Sequence, residues 1–234
     1  MKLIVNCDDL GYTRGGVNEA IVIAYQQGIL RSTTALVNSA YIQEAVTMMK
    51  ENPGIGVGLH LNLTSGKPLT NCPSLINPET GLFYKGRVEM LKHHPVMKEV
   101  ESEWNAQMDR YIELFGELPD HIDSHHYVHD ASPELLDVAK ALTEKYNLPL
   151  RNHNHYVFSN AFYEMSKPEE FIEVVKKFEG QDVEIMVHVG IVDLDLYRWS
   201  SYNVQRIKEL DILCCDTVKQ YIEEHHIELT NDSE

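Results

Sequence analysis

Lys2-Leu3-Ile4-Val5-Asn6-Cys7-Asp8-Asp9-Leu10-Gly11 is the stretch whose reading decides the fold. Its opening apolar run reads as a buried strand, and the strand ends on two adjacent carboxylates before a glycine turn. Side chains alternate along a strand, so extended backbone would point Asp8 and Asp9 apart, whereas a chain turning at Gly11 could bring both to one cleft. Two readings stand side by side. Asp is a favoured helix N-cap, so the pair could cap the next helix. Two close carboxylates also repel, and a bound cation or buried acid-base chemistry would absorb their charge.

Working outward, Thr13 to Gln27 carries apolar residues at helical spacing and stops at Gly28. The alternation of strand, polar loop and helix then recurs. Strands are expected over 33–38, 55–63, from 121, over 149–151, over 183–189 and, briefly, over 227–229. Helices are expected over 41–50, 89–115 with a break near Pro95, 133–146, 168–178, 203–213 and 216–226. Residues 64–86 read as a long lid, 152–166 as a second loop, the stretch after Gly190 as irregular and acidic, and 231–234 as an acidic tail. Glycines 56 and 58 suggest close approach of another backbone or a ligand to the third strand.

This alternation predicts an α/β fold with parallel strands joined by right-handed crossovers, as a barrel or a doubly wound sheet. In either, chemistry belongs at the C-terminal strand ends. Asp8, Asp9, His60, His125, Arg151 and His188 all fall at or just after such ends. One domain over residues 1–234 is expected, with two small domains as the alternative.

Twenty basic against 36 acidic residues give a formal charge of −16, which disfavours nucleic acid and anionic membrane surfaces as partners. Four cysteines without a CxxC pair suit reduced thiols. With neither a leader nor an apolar run near the roughly 20 residues of a membrane span, a soluble, cytoplasmic protein is expected; a homodimer is compatible.

His60 and His125, together with one carboxylate of the pair, would make a three-ligand metal site with an open position. A His-His-Asp set suits Zn²⁺, Mn²⁺, Fe²⁺ or Co²⁺ better than Mg²⁺. His121, His126 and His129 accompany His125, some of them simply as solvated loop residues. His188 is either a core imidazole or, at the mouth of its strand, a general acid. Arg151 either pairs with a surface carboxylate or keeps a cleft carboxylate charged. The Cys214-Cys215 pair reads as packing, and some of Tyr84, Tyr127, Tyr156, Tyr197 and Trp199 could line a sugar cleft.

Asn6-Cys7-Asp8-Asp9-Leu10-Gly11, Gly58-Leu59-His60-Leu61-Asn62-Leu63-Thr64, Asp123-Ser124-His125-His126-Tyr127-Val128-His129 and Ser200-Ser201-Tyr202-Asn203 resemble the signatures of the YdjC-like carbohydrate deacetylases, which include the chito-oligosaccharide deacetylases. The likeness runs from residue 2 to about residue 230. It implies an irregular (β/α) barrel-like fold related to polysaccharide deacetylases and one divalent metal ion, Mg²⁺ by family likeness. Its substrate would be an acetylated amino-sugar oligosaccharide. Residue by residue it implies Asp8 as general base, Asp9, His60 and His125 as metal ligands, Arg151 as the support of the base, and a protonated His188 as donor to the leaving amine. Where the family usually carries Cys-His-Pro-Gly, this chain has Val187-His188-Val189-Gly190: the imidazole is kept and its surroundings differ. Two rivals are a metal-assisted phosphoester hydrolase, opposed by the acidic charge and the lack of a basic cluster near the motifs, and a non-catalytic sugar-binding protein on the same scaffold.

Overall fold

The computed structural model describes residues 1–231, so the expected acidic tail lies, from Asp232 on, outside the described residues. In chain order the elements are β1 (Lys2–Leu10), α1 (Gly16–Gln27), β2 (Ser32–Ala35), α2 (Ile42–Glu51), β3 (Gly56–Leu61), α3 (Arg87–Lys92), α4 (Met97–Phe115), β4 (Ile122–Ser124), α5 (Pro133–Tyr146), β5 (Val157–Ser159), α6 (Pro168–Lys176), β6 (Val183–Val187), α7 (Leu194–Trp199), α8 (Val204–Cys214), α9 (Asp216–Glu224) and β7 (Glu228–Thr230). No described helix is long and apolar enough to cross a membrane.

The strands pair in the order β4-β3-β2-β1-β6-β5, and every pairing is parallel. β7 pairs with Lys2 to Ile4 of β1, while β2 pairs further along with Asn6 to Leu10, so the two share one edge of β1. β4 and β6 stand four strand spacings apart, about 19 Å in a flat sheet. Yet Arg151 reaches Asp123 on β4 at 2.8 Å and Glu184 on β6 at 2.6 Å. One guanidinium can touch both only if the sheet curls into a barrel, which is the barrel-like α/β fold expected.

Curling gives the strands two different faces. Leu3, Val5 and Cys7 of β1, Leu59 and Leu61 of β3, and Val183, Ile185 and Val187 of β6 join the apolar cluster packed with the helices. Several of the alternating positions are polar and bond to one another: Ser32 donates to Asn6 (2.7 Å), Asn6 to Asp8 (3.0 Å), and Thr34 to Asp123 (3.1 Å). Strands buried on both faces look uniformly apolar when short, which hides this polar interior.

Local chemistry explains most boundaries. Ser132 accepts from Leu135 N with Pro133 in the first turn, and Gly116 ends α4 in the left-handed region at φ 82°. The expected break near Pro95 separates α3 from α4. The close approach at Gly58 is the His121 ring, 2.5 Å from where a Cβ would stand, rather than a ligand.

Three expectations change. Residues 149–151 contribute only a bridge from Leu150 to Ile122, and the neighbouring strand is β5, inside the stretch read as loop. Three residues carry too little alternation to announce a strand. The irregular acidic stretch contains α7, whose first turn Asp193 caps by accepting from Leu196 N at 2.7 Å. The lid over 64–86 has its own order, a short 3₁₀ turn at Pro73–Leu75 and an Ile76–Phe83 bridge. It is tied down by Glu103 of α4, which accepts from Leu69 N, Thr70 N and the Thr70 hydroxyl.

Candidate functional site

β1 runs through both carboxylates to Leu10, and its register with β2 slips between Cys7 and Leu10. This bulge places Asp9 at φ 76°. Regular alternation would send Asp9 towards the helices with Cys7; the extra residue turns it to the barrel mouth beside Asp8. The capping alternative is thereby removed, because α1 starts six positions beyond Leu10, at Gly16, with Gly15 at its N-cap and no side-chain cap.

At the mouth, Asp9 Oδ1 stands 2.8 Å from His125 Nδ1 and 3.5 Å from His60 Nε2. Asp9 Oδ1 is fully buried and makes no hydrogen bond. Ligand bonds of about 2.0–2.2 Å put the donors of a tetrahedral ion about 3.3–3.6 Å apart, so these spacings suit a cation within small adjustments. The imidazole of His60 is set from behind: its Nδ1 lies 2.6 Å from Asp123 Oδ1 and 3.1 Å from the Thr34 hydroxyl, which turns Nε2 to the cluster.

Charge supports the same reading. Asp8, Asp9, Asp123 and Glu184 are at most 3% exposed, and two guanidiniums, Arg151 and Arg206, reach them. That leaves two negative charges over, the charge of one divalent cation. Without the cation, His60 takes up part of the deficit. Burial opposes its protonation, but Asp123 and Asp8 outweigh it and raise His60 to about 10. Burial likewise opposes ionised Asp9, yet His125 and Arg206 hold its carboxyl well below the usual carboxylate range. The donor set therefore fits a divalent metal ion, with Asp9, His60 and His125 as the group of donors.

Asp8 sits differently. Arg151 grips both its oxygens, Nη2 to Oδ1 at 2.8 Å and Nη1 to Oδ2 at 3.1 Å. Its Oδ2 faces the donor cluster, 3.9 Å from His60 Nε2. Arg151 comes from the segment after α5, and its fully buried guanidinium is the hub joining Asp8, Asp123 and Glu184. His188 follows β6 at the same mouth, its backbone N–H donating to Glu209 Oε2 at 2.5 Å. Glu209 also accepts from the Tyr202 hydroxyl. Burial pushes Glu209 up to about 8; burial, then the Arg206 charge, pushes His188 down to about 4. Both causes disfavour the imidazolium form of His188 in the substrate-free chain.

The structure brings all six residues singled out in the sequence to one mouth. It adds partners that the sequence reading passed over: Asp123, Thr34, Glu184, Glu209 and Arg206, whose Nη2 donates to Asp9 Oδ2 at 2.6 Å. Asp123 stood inside a quoted motif. Arg206 lies 197 positions from Asp9, and no local pattern announces it.

Above the cluster lies a cavity of about 1260 Å³. Tyr12, Tyr41, Tyr127, Tyr163, Trp199 and Tyr202 form much of its wall; the lid supplies Thr64 to Lys67, Leu82, Phe83, Lys85 and Gly86, and the start of α3 supplies Arg87 to Glu89. Of the aromatics expected at a sugar cleft, Tyr127 and Trp199 line it; Tyr84, Tyr156 and Tyr197 do not. Trp199 stacks on Tyr41 with ring centroids 6.1 Å apart. Lys67, Lys85 and Arg87 also face the cavity, correcting the expectation that no basic cluster lies near the motifs. They come from the lid and the first residue of α3, up to twenty positions apart.

Comparison with known proteins agrees over the whole length. A carbohydrate deacetylase of Halalkalibacterium halodurans is 40% identical over 91% of this chain and 95% of its own. A chitooligosaccharide deacetylase of Proteus mirabilis is 36% identical over 97% and 96%. The crystal structure of an Enterococcus faecalis protein, described as a candidate cellobiose-phosphate cleavage protein, superposes with a TM-score of 0.91 at 35% identity, covering 99% of this chain and 97% of that one. A family 4 carbohydrate esterase of Streptomyces lividans shares the fold alone, with a TM-score of 0.58 at 14% identity over 97% and 91%. The family model described as YdjC-like protein matches residues 2–224. With that match and these full-length relatives, the chain belongs to the YdjC-like protein family.

Proposed function

We propose that this chain is a metal-dependent hydrolase that removes N-acetyl groups from acetylated amino sugars, with short chito-oligosaccharides as substrates. The observation that carries the reading is the unsatisfied Asp9 Oδ1 between His60 and His125, next to a second carboxylate held by Arg151. The relatives named carbohydrate and chitooligosaccharide deacetylases support the choice of substrate class.

A divalent ion held by Asp9, His60 and His125 supplies a Lewis acid, lowering the pKa of water and polarising the acetyl carbonyl. The two carboxylates then do different work. Asp9 is committed to the cation and to Arg206. Asp8, gripped from behind by Arg151 and Asn6, keeps a lone pair of Oδ2 on the cluster side and accepts the proton of the attacking water. His188 protonates the departing amine. Burial disfavours the imidazolium in the resting site, so it takes that proton from solvent as negative charge develops beside it, while Glu209 accepts from its backbone N–H. The aromatic wall stacks against sugar rings, and the lid excludes water.

Acetate release tests the reading. Chelator-treated protein given Zn²⁺, Mg²⁺, Mn²⁺ or Co²⁺ is expected to release acetate from N,N′-diacetylchitobiose and to release no phosphate from a generic phosphodiester. Asp8→Asn is expected to lower kcat by about 10²–10⁴ while the metal stays bound. Sugar binding without acetate release, with every metal, would sink the enzyme reading; near-wild-type activity in Asp8→Asn would sink only the base.

A further inference from the structure

The turn that delivers His125, residues 125–130, carries a second set of donors at its other end. His129 is completely buried. Its Nδ1 lies 2.5 Å from the Ser124 hydroxyl, and its Nε2, also buried, makes no hydrogen bond and faces Asp130 Oδ2 at 3.3 Å. From the loop after Arg151, His153 brings Nε2 to 2.7 Å from Asp130 Oδ1. The three donor atoms lie within 4.8 Å of one another, and none of the three residues lines the large cavity.

An imidazole nitrogen held by a hydroxyl on one side, its other nitrogen aimed at a carboxylate without a hydrogen bond, is the arrangement of a metal-ligating histidine. The 3.3 Å between His129 Nε2 and Asp130 Oδ2 is the edge of a tetrahedron with bonds of about 2.0 Å. Asp130 and His153 are partly open to solvent, which leaves room for water as a further ligand.

We propose that His129, Asp130 and His153 form a second divalent transition-metal site, distinct from Asp9, His60 and His125. Two imidazoles and a carboxylate select an ion of the Zn²⁺ kind. Its role is structural: the ion ties the loop carrying Arg151, which holds Asp8, to the turn carrying His125. The site stands or falls independently of the deacetylase reading, because its test reads bound metal.

The test is equilibrium dialysis of the full chelator-treated chain against Zn²⁺, with metal analysis. Two ions per chain are expected for the wild type, one each for His153→Gln and Asp130→Asn, and one for His125→Gln. None is expected when His125→Gln and His153→Gln are combined. Because His153 is exposed, His153→Gln is expected to fold even if a change at Asp130 is not tolerated. As a second readout, Zn²⁺ at a hundredfold excess over its Kd should raise the Tm of His125→Gln by about 5–10 °C and leave the double variant unmoved. A His153→Gln chain that binds as many ions as the wild type overturns the proposal. So does a His125→Gln Tm that ignores Zn²⁺.

Discussion

Two His/Asp clusters flank the same turn, and the difference between them is burial. Around Asp9 every group is withdrawn from water, so each carboxylate needs a cationic partner; Arg151, Arg206 and a protonated His60 supply them. Around Asp130 the carboxylate and His153 keep about a quarter of their side-chain surface, and an amide with two imidazoles suffices. The same kind of His/Asp set is therefore balanced by arginines in one place and partly open to solvent in the other. Buried charge is expensive, and the expense shows as arginines.

The comparison can be broken in four ways. The largest effect is expected from Asp9→Ala, which should cost at least about 10³-fold in acetate release together with the bound metal, several kcal/mol of lost charge stabilisation. Activity above a tenth of wild type would show that the buried cluster is not the reaction centre. Next, Arg151→Met should destabilise the fold by about 3–5 kcal/mol in urea denaturation, because it strands Asp8, Asp123 and Glu184 without their shared cation. A loss under about 1 kcal/mol would mean that the interior is wetter than its burial implies.

The third effect concerns pH. The folded value of His60, about 10, lies above its ordinary 6.5, so the metal-free site carries a proton at pH 7 to 8 that ligation must expel. About one proton should be released per ion bound at this cluster, and affinity should rise with pH until His60 titrates. Calorimetry of the His153→Gln chain in two buffers of different ionisation enthalpy measures it, and equal heats would refute it. With no metal bound, the ion pairs that raise His60 stabilise the fold fully below about pH 6.5, and this contribution is lost as pH rises through about 10. The smallest effect is Asp130→Asn in chelator, which should cost no more than about 1 kcal/mol in the same urea assay, since Asp130 and His153 are both partly open to solvent.

How much could be read in advance follows from sequence distance. The lid, most helix caps and the break near Pro95 are local, and Gly, Pro and Ser announce them. β5 and α7 are local too, but at three and six residues they are too short to show a period. Arg206, Glu184 and Glu209 were invisible because their meaning lies in Asp9, Arg151 and His188, partners 197, 33 and 21 positions away. The basic wall of Lys67, Lys85 and Arg87 is likewise made by folding the lid over the mouth.

By itself, the sequence determined the parallel α/β class, because strand and helix periods alternate along the chain. It also determined that Asp8, Asp9, His60, His125 and His188 stand at strand ends, since a strand's end is a local property, whereas Arg151 follows only a single bridge. Tertiary structure alone decided that these ends share one mouth, because curling the sheet is a property of all its strands together. It also decided the direction of Asp9: one extra residue against β2, a register that only the paired strands define, turns that carboxylate away from the helices and towards His60 and His125.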